Sequence, residues 1–253
     1  MTVFDGVGVA LVTLFHDDGE VDLGATASLA AELAAAGVRA IVLAGSTGEA
    51  ATLDGAERVA LVKAVREAIP HGVPILVGTG APSARQAAAL TAEVAAVGAD
   101  AVLVLSPPHD PEPTAYYREV LAAAGDMPVL GYHYPKMSAP GIDVDLLPRL
   151  AELGMVGLKD SSGDPARLVR TLETFSGDLY VGSPWLLSAA GPLGATGAIL
   201  AVANVEPALS IAAFGGDTAA QRALAPVAAR ASGPREVKAL LAERTGRNPT
   251  TRV

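Results

Sequence analysis

Eight short apolar runs alternate with helix-like segments along the 253 residues, and this alternation constrains the fold more than any other feature. Each run is rich in Val, Ile and Leu without regular polar alternation, which is typical of parallel strands covered on both faces. The runs occupy residues 7–15, 40–45, 73–80, 101–107, 127–134, 155–160, 179–183 and 197–202. Eight strand–helix units make up a (β/α)8 barrel, so the pattern predicts a TIM barrel.

The intervening segments have helical spacing and recognisable ends. Asp54, Ser83 and Asp164 stand where helix N-caps are expected, and several segments end in glycine. A doubly wound sheet is the competing fold, but its glycine-rich fingerprint is absent after the first run. Beyond the predicted barrel of residues 1–216, residues 217–253 predict two helices packed on the barrel and a final loop, within a single domain.

Composition excludes several classes of function. The formal net charge is −9, which argues against binding to nucleic-acid phosphates or to anionic membrane surfaces. The chain has no cysteine, so disulfides, thiolate nucleophiles and cysteine-ligated metals are ruled out. The four histidines are scattered without paired spacing and give no case for a metal-dependent reaction.

Residues 180–205 carry no charge and are numerous enough to cross a bilayer. Proline and glycine divide this stretch into pieces of strand and short-helix length, which favours a buried strand–helix–strand unit over a membrane span. The first residues also lack the basic and apolar regions of a signal peptide. We therefore expect a cytoplasmic protein without a membrane segment.

Lys159 ends a short apolar run, which is an unusual place for one of only four lysines. Lys63 and Lys238 lie in helical segments, where a solvated amine is the expected state. An amine held among apolar strand residues loses hydration, which lowers its pKa and leaves a neutral nucleophile able to form an imine with a carbonyl. The alternative is a buried ion pair, for example with Asp160, that only stabilises the barrel.

Other polar residues follow strands at the same predicted edge of the barrel, where active sites of this fold are built. Tyr132 ends the fifth run and is a candidate proton shuttle, or a tyrosine wedged at the barrel mouth. The loop GSTGE follows the second run. Its Ser46 and Thr47 hydroxyls, and the N–H groups that Gly45 makes accessible, suit a carboxylate or phosphate. Glu49 is predicted to be a structural hydrogen-bond acceptor.

Five motifs in register carry a resemblance to a known family. They are GSTGEAATL, GTGA, YHYP, GLKDSSGD and GATGAILAVANVEP, in this order. Over residues 3–215 the chain resembles the dihydrodipicolinate synthase and N-acetylneuraminate lyase family of class I, Schiff-base barrels.

The resemblance implies a pyruvate-type 2-oxo acid bound as an imine to Lys159, with Tyr132 relaying protons. It implies that Ser46 and Thr47 hold the pyruvate carboxylate and that the main chain around Ile199 lines the same pocket. It implies no metal and no organic cofactor. It also implies a homo-oligomer, either a dimer or a tetramer.

Two departures from the family pattern bear on the substrate. His109 stands where the synthases usually carry a relay tyrosine, and histidine can also relay a proton. The loop after Tyr132 has Lys136 and Met137 but not the arginine that the synthases use for their second substrate, which argues against aspartate semialdehyde. Lys136 is a candidate contact for an acidic group on the aldehyde half. His133 should point away from Tyr132 and anchor a loop.

We therefore predict a class I lyase that cleaves or forms a carbon–carbon bond between pyruvate and an aldehyde. A 2-oxo-3-deoxy sugar acid or a 4-hydroxy-2-oxo acid is the expected substrate class. The alternatives are a 4-hydroxy-tetrahydrodipicolinate synthase, a dehydratase acting on a 2-oxo-3-deoxy sugar acid, and a barrel that binds a 2-oxo acid without turnover.

Overall fold

The computed structural model describes residues 2–253, and eight parallel strands in it form a closed barrel. Each strand pairs with the next along the chain, and β8 closes the ring by pairing with β1. The strands are β1 (Gly6–Ala10), β2 (Ala40–Leu43), β3 (Ile75–Gly78), β4 (Ala101–Leu105), β5 (Val129–His133), β6 (Gly157–Asp160), β7 (Asp178–Val181) and β8 (Gly197–Leu200). The predicted TIM barrel is confirmed.

Seven of the eight strands end earlier than their apolar runs, and β6 ends with its run at Asp160. The first run extends to residue 15, but β1 ends at Ala10 and the following residues form a buried loop. Likewise β2 ends at Leu43, so Ala44 and Gly45 belong to the loop that leads to Ser46. Apolar residues past the strand ends are buried in the loops that build the upper face of the barrel.

Ten helices surround the strands in the described part of the chain. They are α1 (Leu23–Ala35), α2 (Gly55–Ala68), α3 (Ala84–Ala95), α4 (Thr114–Ala124), α5 (Leu147–Glu152), α6 (Pro165–Thr174), α7 (Leu187–Ala190), α8 (Pro207–Phe214), α9 (Thr218–Arg230) and α10 (Pro234–Thr245). The side chains of Asp54, Ser83 and Asp164 accept hydrogen bonds from the first turns of α2, α3 and α6, as predicted. None of the helices in residues 2–253 has the length and apolar character needed to cross a membrane.

The barrel interior is filled at one end and open at the other. Near its lower end Phe4 and Tyr180 stack with ring centroids 4.5 Å apart, and the Tyr180 hydroxyl donates to the Phe4 carbonyl at 2.8 Å. Ala10, Val42 and Leu103 continue the interior core. A larger apolar cluster fills the space between the strands and the helices. These side chains fill the lower part of the barrel, so space for a cavity remains at the carboxyl ends of the strands.

The two C-terminal helices, α9 and α10, are present as predicted, but the prediction of a solvated Lys238 is wrong. Its side chain is fully buried and forms an ion pair with Glu49 at 2.5 Å. The residues after α10 fold back over this helix, since the carbonyl of Thr250 accepts a hydrogen bond from the Lys238 amine at 2.7 Å. The helical pattern gave no sign of this covering segment. Lys63 is exposed on α2, as expected.

Candidate active site

A cavity of about 1110 Å³ lies at the carboxyl ends of the strands. Eight residues were predicted to be catalytic or substrate-binding, and all of them except His109 line this cavity. The seven are Gly45, Ser46, Thr47, Tyr132, Lys136, Lys159 and Ile199. The loops after β2, β5 and β6 therefore meet at one site, as the barrel geometry predicted. The end of α9 and the turn to α10 complete one side of the mouth through Ala228, Ala229, Ala231, Ser232, Gly233 and Pro234.

Lys159 projects into this cavity from β6, where it pairs with Tyr132 of β5 and Tyr180 of β7. Only 5% of the residue is exposed, and its amine lies 4.4 Å from the centre of the Tyr132 ring. Among residues 2–253 no carboxylate forms an ion pair with it. Burial lowers the pKa of Lys159 to about 7, so a large share of the amine is neutral and nucleophilic near neutral pH.

Asp160 does not serve Lys159 as a counter-ion. Its carboxylate accepts from the Arg167 side chain at 2.5 Å, and Arg167 also donates to the Ile142 carbonyl at 2.7 Å. On the same side of the sheet, Nδ1 of His133 accepts the Ile142 N–H at 2.9 Å. Burial, with Arg167 nearby, lowers the pKa of His133 to about 4 and keeps the ring neutral. These contacts anchor the outer side of β5 and β6, which matches the role predicted for His133.

The Tyr132 hydroxyl lies next to other hydroxyl groups. Ser161 Oγ is 3.5 Å from it, and hydrogen bonds from Ser161 and Ser46 partly oppose the rise in the pKa of Tyr132 that burial causes. The phenol therefore stays protonated at neutral pH. Tyr134 stacks on Tyr132 with ring centroids 5.8 Å apart and also borders the cavity. A phenol in this position can pass a proton between a neighbouring hydroxyl and a group on the substrate.

The loop from Ala44 to Glu49 presents polar groups to the cavity from the side of β2. Ser46 and Thr47 are half-buried and border the space above Lys159. Backbone N–H groups of Glu49 and Ala50 bond to the carbonyls of Ser46 and Gly45 at 3.2 and 3.1 Å. This compact turn places Ser46 and Thr47 in the cavity lining, and residues with hydroxyl groups suit the binding of a carboxylate.

The structure does not bring His109 to the site. It is exposed in the loop after β4, with φ of 63°, and its N–H donates to the Ala139 carbonyl at 2.7 Å. Its neighbour Pro108 lines the cavity, but His109 does not. Lys136 does line the cavity, and it is exposed to solvent.

Several residues that line the cavity were not predicted from the sequence. Tyr134 and Ser161 each follow a predicted site residue by two positions, a spacing that returns side chains to the same face of a strand. Ser106 is buried, and its hydroxyl has no hydrogen-bond partner in residues 2–253. Ser183 and the half-exposed Trp185 come from the loop after β7. The two-residue spacing could have revealed the first pair, whereas no local signal marked the others.

Gly182 makes room for the reactive side chains. A Cβ atom at this position would lie 1.9 Å from Ser161 Oγ and 3.0 Å from Lys159 Cε. Only glycine therefore allows the Lys159 and Ser161 side chains to occupy their positions together.

Residues 3–229 match the sequence profile of the Dihydrodipicolinate synthetase family. A 4-hydroxy-tetrahydrodipicolinate synthase from Nitrosospira multiformis is 38% identical over 227 residues, covering 85% of this chain and 75% of the relative. An uncharacterized DapA-like lyase from Halobacterium salinarum is 37% identical over 215 residues, covering 83% of this chain and 70% of the relative.

Solved structures agree with the sequence match. The dihydrodipicolinate synthase from Aquifex aeolicus superimposes with a TM-score of 0.88 at 27% identity, covering 99% of this chain and 91% of that chain. YagE, a prophage protein of the dihydrodipicolinic acid synthase family from E. coli K12, was solved in complex with pyruvate. It gives a TM-score of 0.85 at 25% identity, covering 94% of this chain and 87% of that chain. The chain belongs to the dihydrodipicolinate synthetase family of pyruvate-dependent class I lyases.

Proposed function

We propose that this lyase uses Lys159 to cleave, or form, the bond between pyruvate and an aldehyde in a 2-oxo-3-deoxy sugar acid or 4-hydroxy-2-oxo acid. One observation carries the proposal. The Lys159 amine is buried at the base of an open cavity, has no ion-pair partner in residues 2–253, and has a pKa near 7. A buried structural lysine is normally paired, whereas an unpaired one beside a cavity is suited to attack a carbonyl.

The first step joins the amine to the substrate. The neutral amine of Lys159 adds to the ketone carbon of the 2-oxo acid to form a carbinolamine. The carbinolamine hydroxyl then takes up one proton through Tyr132 and leaves as water, which gives a protonated imine. Ser46 and Thr47 hold the adjacent carboxylate, and the main chain around Ile199 forms the floor of the pocket. The positive imine then withdraws electrons from the neighbouring carbon atoms.

Cleavage follows from that electron withdrawal. The 4-hydroxyl gives its proton to Tyr132 and the hydroxyls next to it as the C3–C4 bond breaks. The aldehyde is released, and the bonding electron pair moves into an enamine. Protonation at C3 restores the protonated imine, and water then hydrolyses it to pyruvate, the free amine and a proton. Because burial keeps the Tyr132 phenol protonated, it acts by accepting one proton while giving up another.

The cavity chemistry favours a hydroxylated acid. Its lining has serine or threonine hydroxyls on the loops after β2, β6 and β7, namely Ser46, Thr47, Ser161, Ser162 and Ser183. No arginine lines the cavity among residues 2–253, and Lys136 supplies a cation at the rim. Hydroxyl groups recognise the hydroxyls of a sugar chain, and the rim cation suits a terminal acidic group.

A 4-hydroxy-tetrahydrodipicolinate synthase is the second candidate. The relative from Nitrosospira multiformis carries this name at 38% identity. The absence of an arginine from the cavity lining among residues 2–253 and the exposed position of His109 argue against this activity. Homo-oligomeric assembly stays a prediction for either activity.

Borohydride reduction in the presence of pyruvate tests the imine. We expect one reduced pyruvate adduct per chain, and peptide mass spectrometry should locate it on Lys159. An unlabelled chain, or an adduct on Lys63 or Lys136, would contradict the proposal.

A second assay identifies the reaction. Pyruvate release should be measured over a panel of 2-oxo-3-deoxy acids with and without a terminal carboxylate or phosphate. Release of pyruvate with an aldehyde supports the lyase. Loss of water without pyruvate release would indicate the dehydratase, condensation with aspartate semialdehyde would indicate the synthase, and an adduct without any turnover would indicate a binder.

A further inference from the structure

The loop that faces the substrate carboxylate is held in an unusual backbone conformation. Ala44 and Glu49, at its two ends, have φ angles of 48° and 60°, a region that residues other than glycine rarely adopt. Such strain persists only where surrounding contacts fix the backbone, and it is common at functional sites. The contacts that fix this loop therefore bear on the geometry of Ser46 and Thr47.

Arg58 fixes the side of the loop that faces α2. It is buried, and its guanidinium donates to the carbonyls of Ala50 and Gly78 at 2.6 and 2.7 Å. It also donates to the carbonyls of Ala44 and Leu53 at 3.3 Å. These contacts hold the backbone at both ends of the loop.

Glu49 fixes the other side through the C-terminal segment. Its carboxylate is buried, and one oxygen accepts from the Lys238 amine at 2.5 Å. The second oxygen accepts the backbone N–H of Arg252 at 2.7 Å. Both carboxylate oxygens are therefore bound by groups that lie about two hundred residues later in the sequence.

Lys238 and the residues after α10 are themselves firmly placed. The Lys238 amine also donates to the Thr250 carbonyl at 2.7 Å and lies 4.2 Å from the centre of the Phe15 ring. The Arg252 guanidinium donates to the Gly19 carbonyl at 2.7 Å and to Glu57 at 2.6 Å. Burial lowers the pKa of Lys238, and the Glu49 carboxylate opposes that shift.

Glu49 is linked directly to the substrate-facing residues. Its N–H donates to the Ser46 carbonyl at 3.2 Å, and Thr47 lies between these two residues in the same turn. The carbonyl of Gly48 accepts from Thr13 at 2.8 Å. A shift of the Glu49 side chain would therefore move the turn that carries the Ser46 and Thr47 hydroxyls.

We propose that Lys238 is a positioning residue that acts through Glu49 to orient Ser46 and Thr47 toward the carboxylate of the 2-oxo acid. This inference rests on the proposed function, because it takes that carboxylate as the ligand of the loop. Lys238 does not line the cavity, so its influence passes through the buried ion pair. The C-terminal helix α10 thus contributes to substrate binding without touching the substrate.

The test compares two ketones, one with a carboxylate and one without. Reductive labelling of Lys159 is followed as a function of pyruvate concentration and of hydroxyacetone concentration. The variants are Lys238→Met and the double variant Glu49→Gln with Lys238→Met. The double variant removes both buried charges, so it can be tested even if Lys238→Met alone unfolds the chain. Lys63→Met, which removes an exposed lysine from α2, is the matched control.

We expect the half-saturating pyruvate concentration to rise by about tenfold in the double variant, because small displacements of positioning groups have effects of this size or larger. Labelling by hydroxyacetone should stay at the wild-type level. Unchanged pyruvate dependence, or equal losses for both ketones, would overturn the inference and leave the proposed function standing. Absence of any pyruvate adduct on the wild-type protein would overturn both.

Discussion

Lys159 and Lys238 are both buried amines, but their surroundings prepare them for different tasks. Lys159 lies at the end of a barrel strand beside a cavity, with an aromatic ring as its neighbour and no carboxylate partner in residues 2–253. Lys238 lies on a helix away from the cavity lining, with a carboxylate, a carbonyl and an aromatic ring around its amine. Burial alone therefore does not identify a reactive lysine in this barrel.

The decisive difference is the partner of each amine. Desolvation lowers the pKa of both lysines, but only Lys238 has a buried carboxylate that opposes the shift. Lys159 is thus able to lose its proton near neutral pH and act as a nucleophile, while Lys238 is held in an ion pair that fixes two distant parts of the chain.

The largest effect that this comparison predicts is on covalent labelling by pyruvate. Replacing Lys159 with Met should abolish the reduced adduct and lower turnover by about 10⁴-fold or more, because the nucleophile is lost. Replacing Lys238 with Met removes no reacting atom, so the adduct on Lys159 should still form at saturating pyruvate. Intact-mass measurement after borohydride reduction distinguishes the two variants. An adduct that still forms in the Lys159 variant would show that Lys159 is not the amine that reacts with pyruvate.

The same pair of substitutions should change stability in opposite directions. In Lys238→Met the Glu49 carboxylate stays buried without its partner, which should lower the free energy of unfolding by about 3–5 kcal/mol. In Lys159→Met an unpaired buried amine is replaced by an apolar group of similar length, which should raise this free energy by about 1–3 kcal/mol at pH 7. Urea unfolding followed by circular dichroism measures both changes. Destabilisation by both substitutions would mean that Lys159 also has a structural role.

The sequence predicted the barrel because the information is local. Eight apolar runs, helix caps such as Asp54 and glycine stops each depend on neighbouring residues, and together they specify eight strand–helix units. The convergence of Lys159, Tyr132 and Ser46 followed from the rule that the carboxyl ends of parallel barrel strands meet on one face. The local pattern left Lys159 as either a nucleophile or a member of a buried ion pair, and the family motifs favoured the nucleophile.

The sequence could not predict features that depend on distant segments. Lys238 has the local pattern of a surface helix, and its burial depends on Phe15, Glu49 and the residues that follow α10. His109 was aligned by position, but the turn around it directs the residue to the surface. The unpaired Ser106 hydroxyl likewise depends on how separate loops meet.

A smaller change tests how tightly the surroundings of Lys159 are fixed. Gly182→Ala places a methyl group against Ser161 Oγ and Lys159 Cε, so either side chain must move. We expect turnover to fall by about 10²-fold, the size of effect that a displacement near 1 Å produces. Gly72→Ala is the matched control, because a Cβ there meets no atom within 4 Å. Wild-type turnover in the Gly182 variant would show that the amine does not need its present position.

The last effect concerns the pH dependence of stability. Folded Lys159 loses its proton near pH 7, whereas an unfolded lysine keeps its proton until about pH 10.5. Between these values the unfolded state binds more protons, so this group makes the free energy of unfolding rise with pH. The advantage of Lys159→Met over the wild type should therefore be constant below pH 7 and shrink as pH rises from 7 toward 10.5. Urea unfolding of both proteins across this range measures the difference, in which the contribution of Lys238 cancels. A difference that does not change with pH would show that Lys159, like an exposed lysine, keeps its proton in the folded protein.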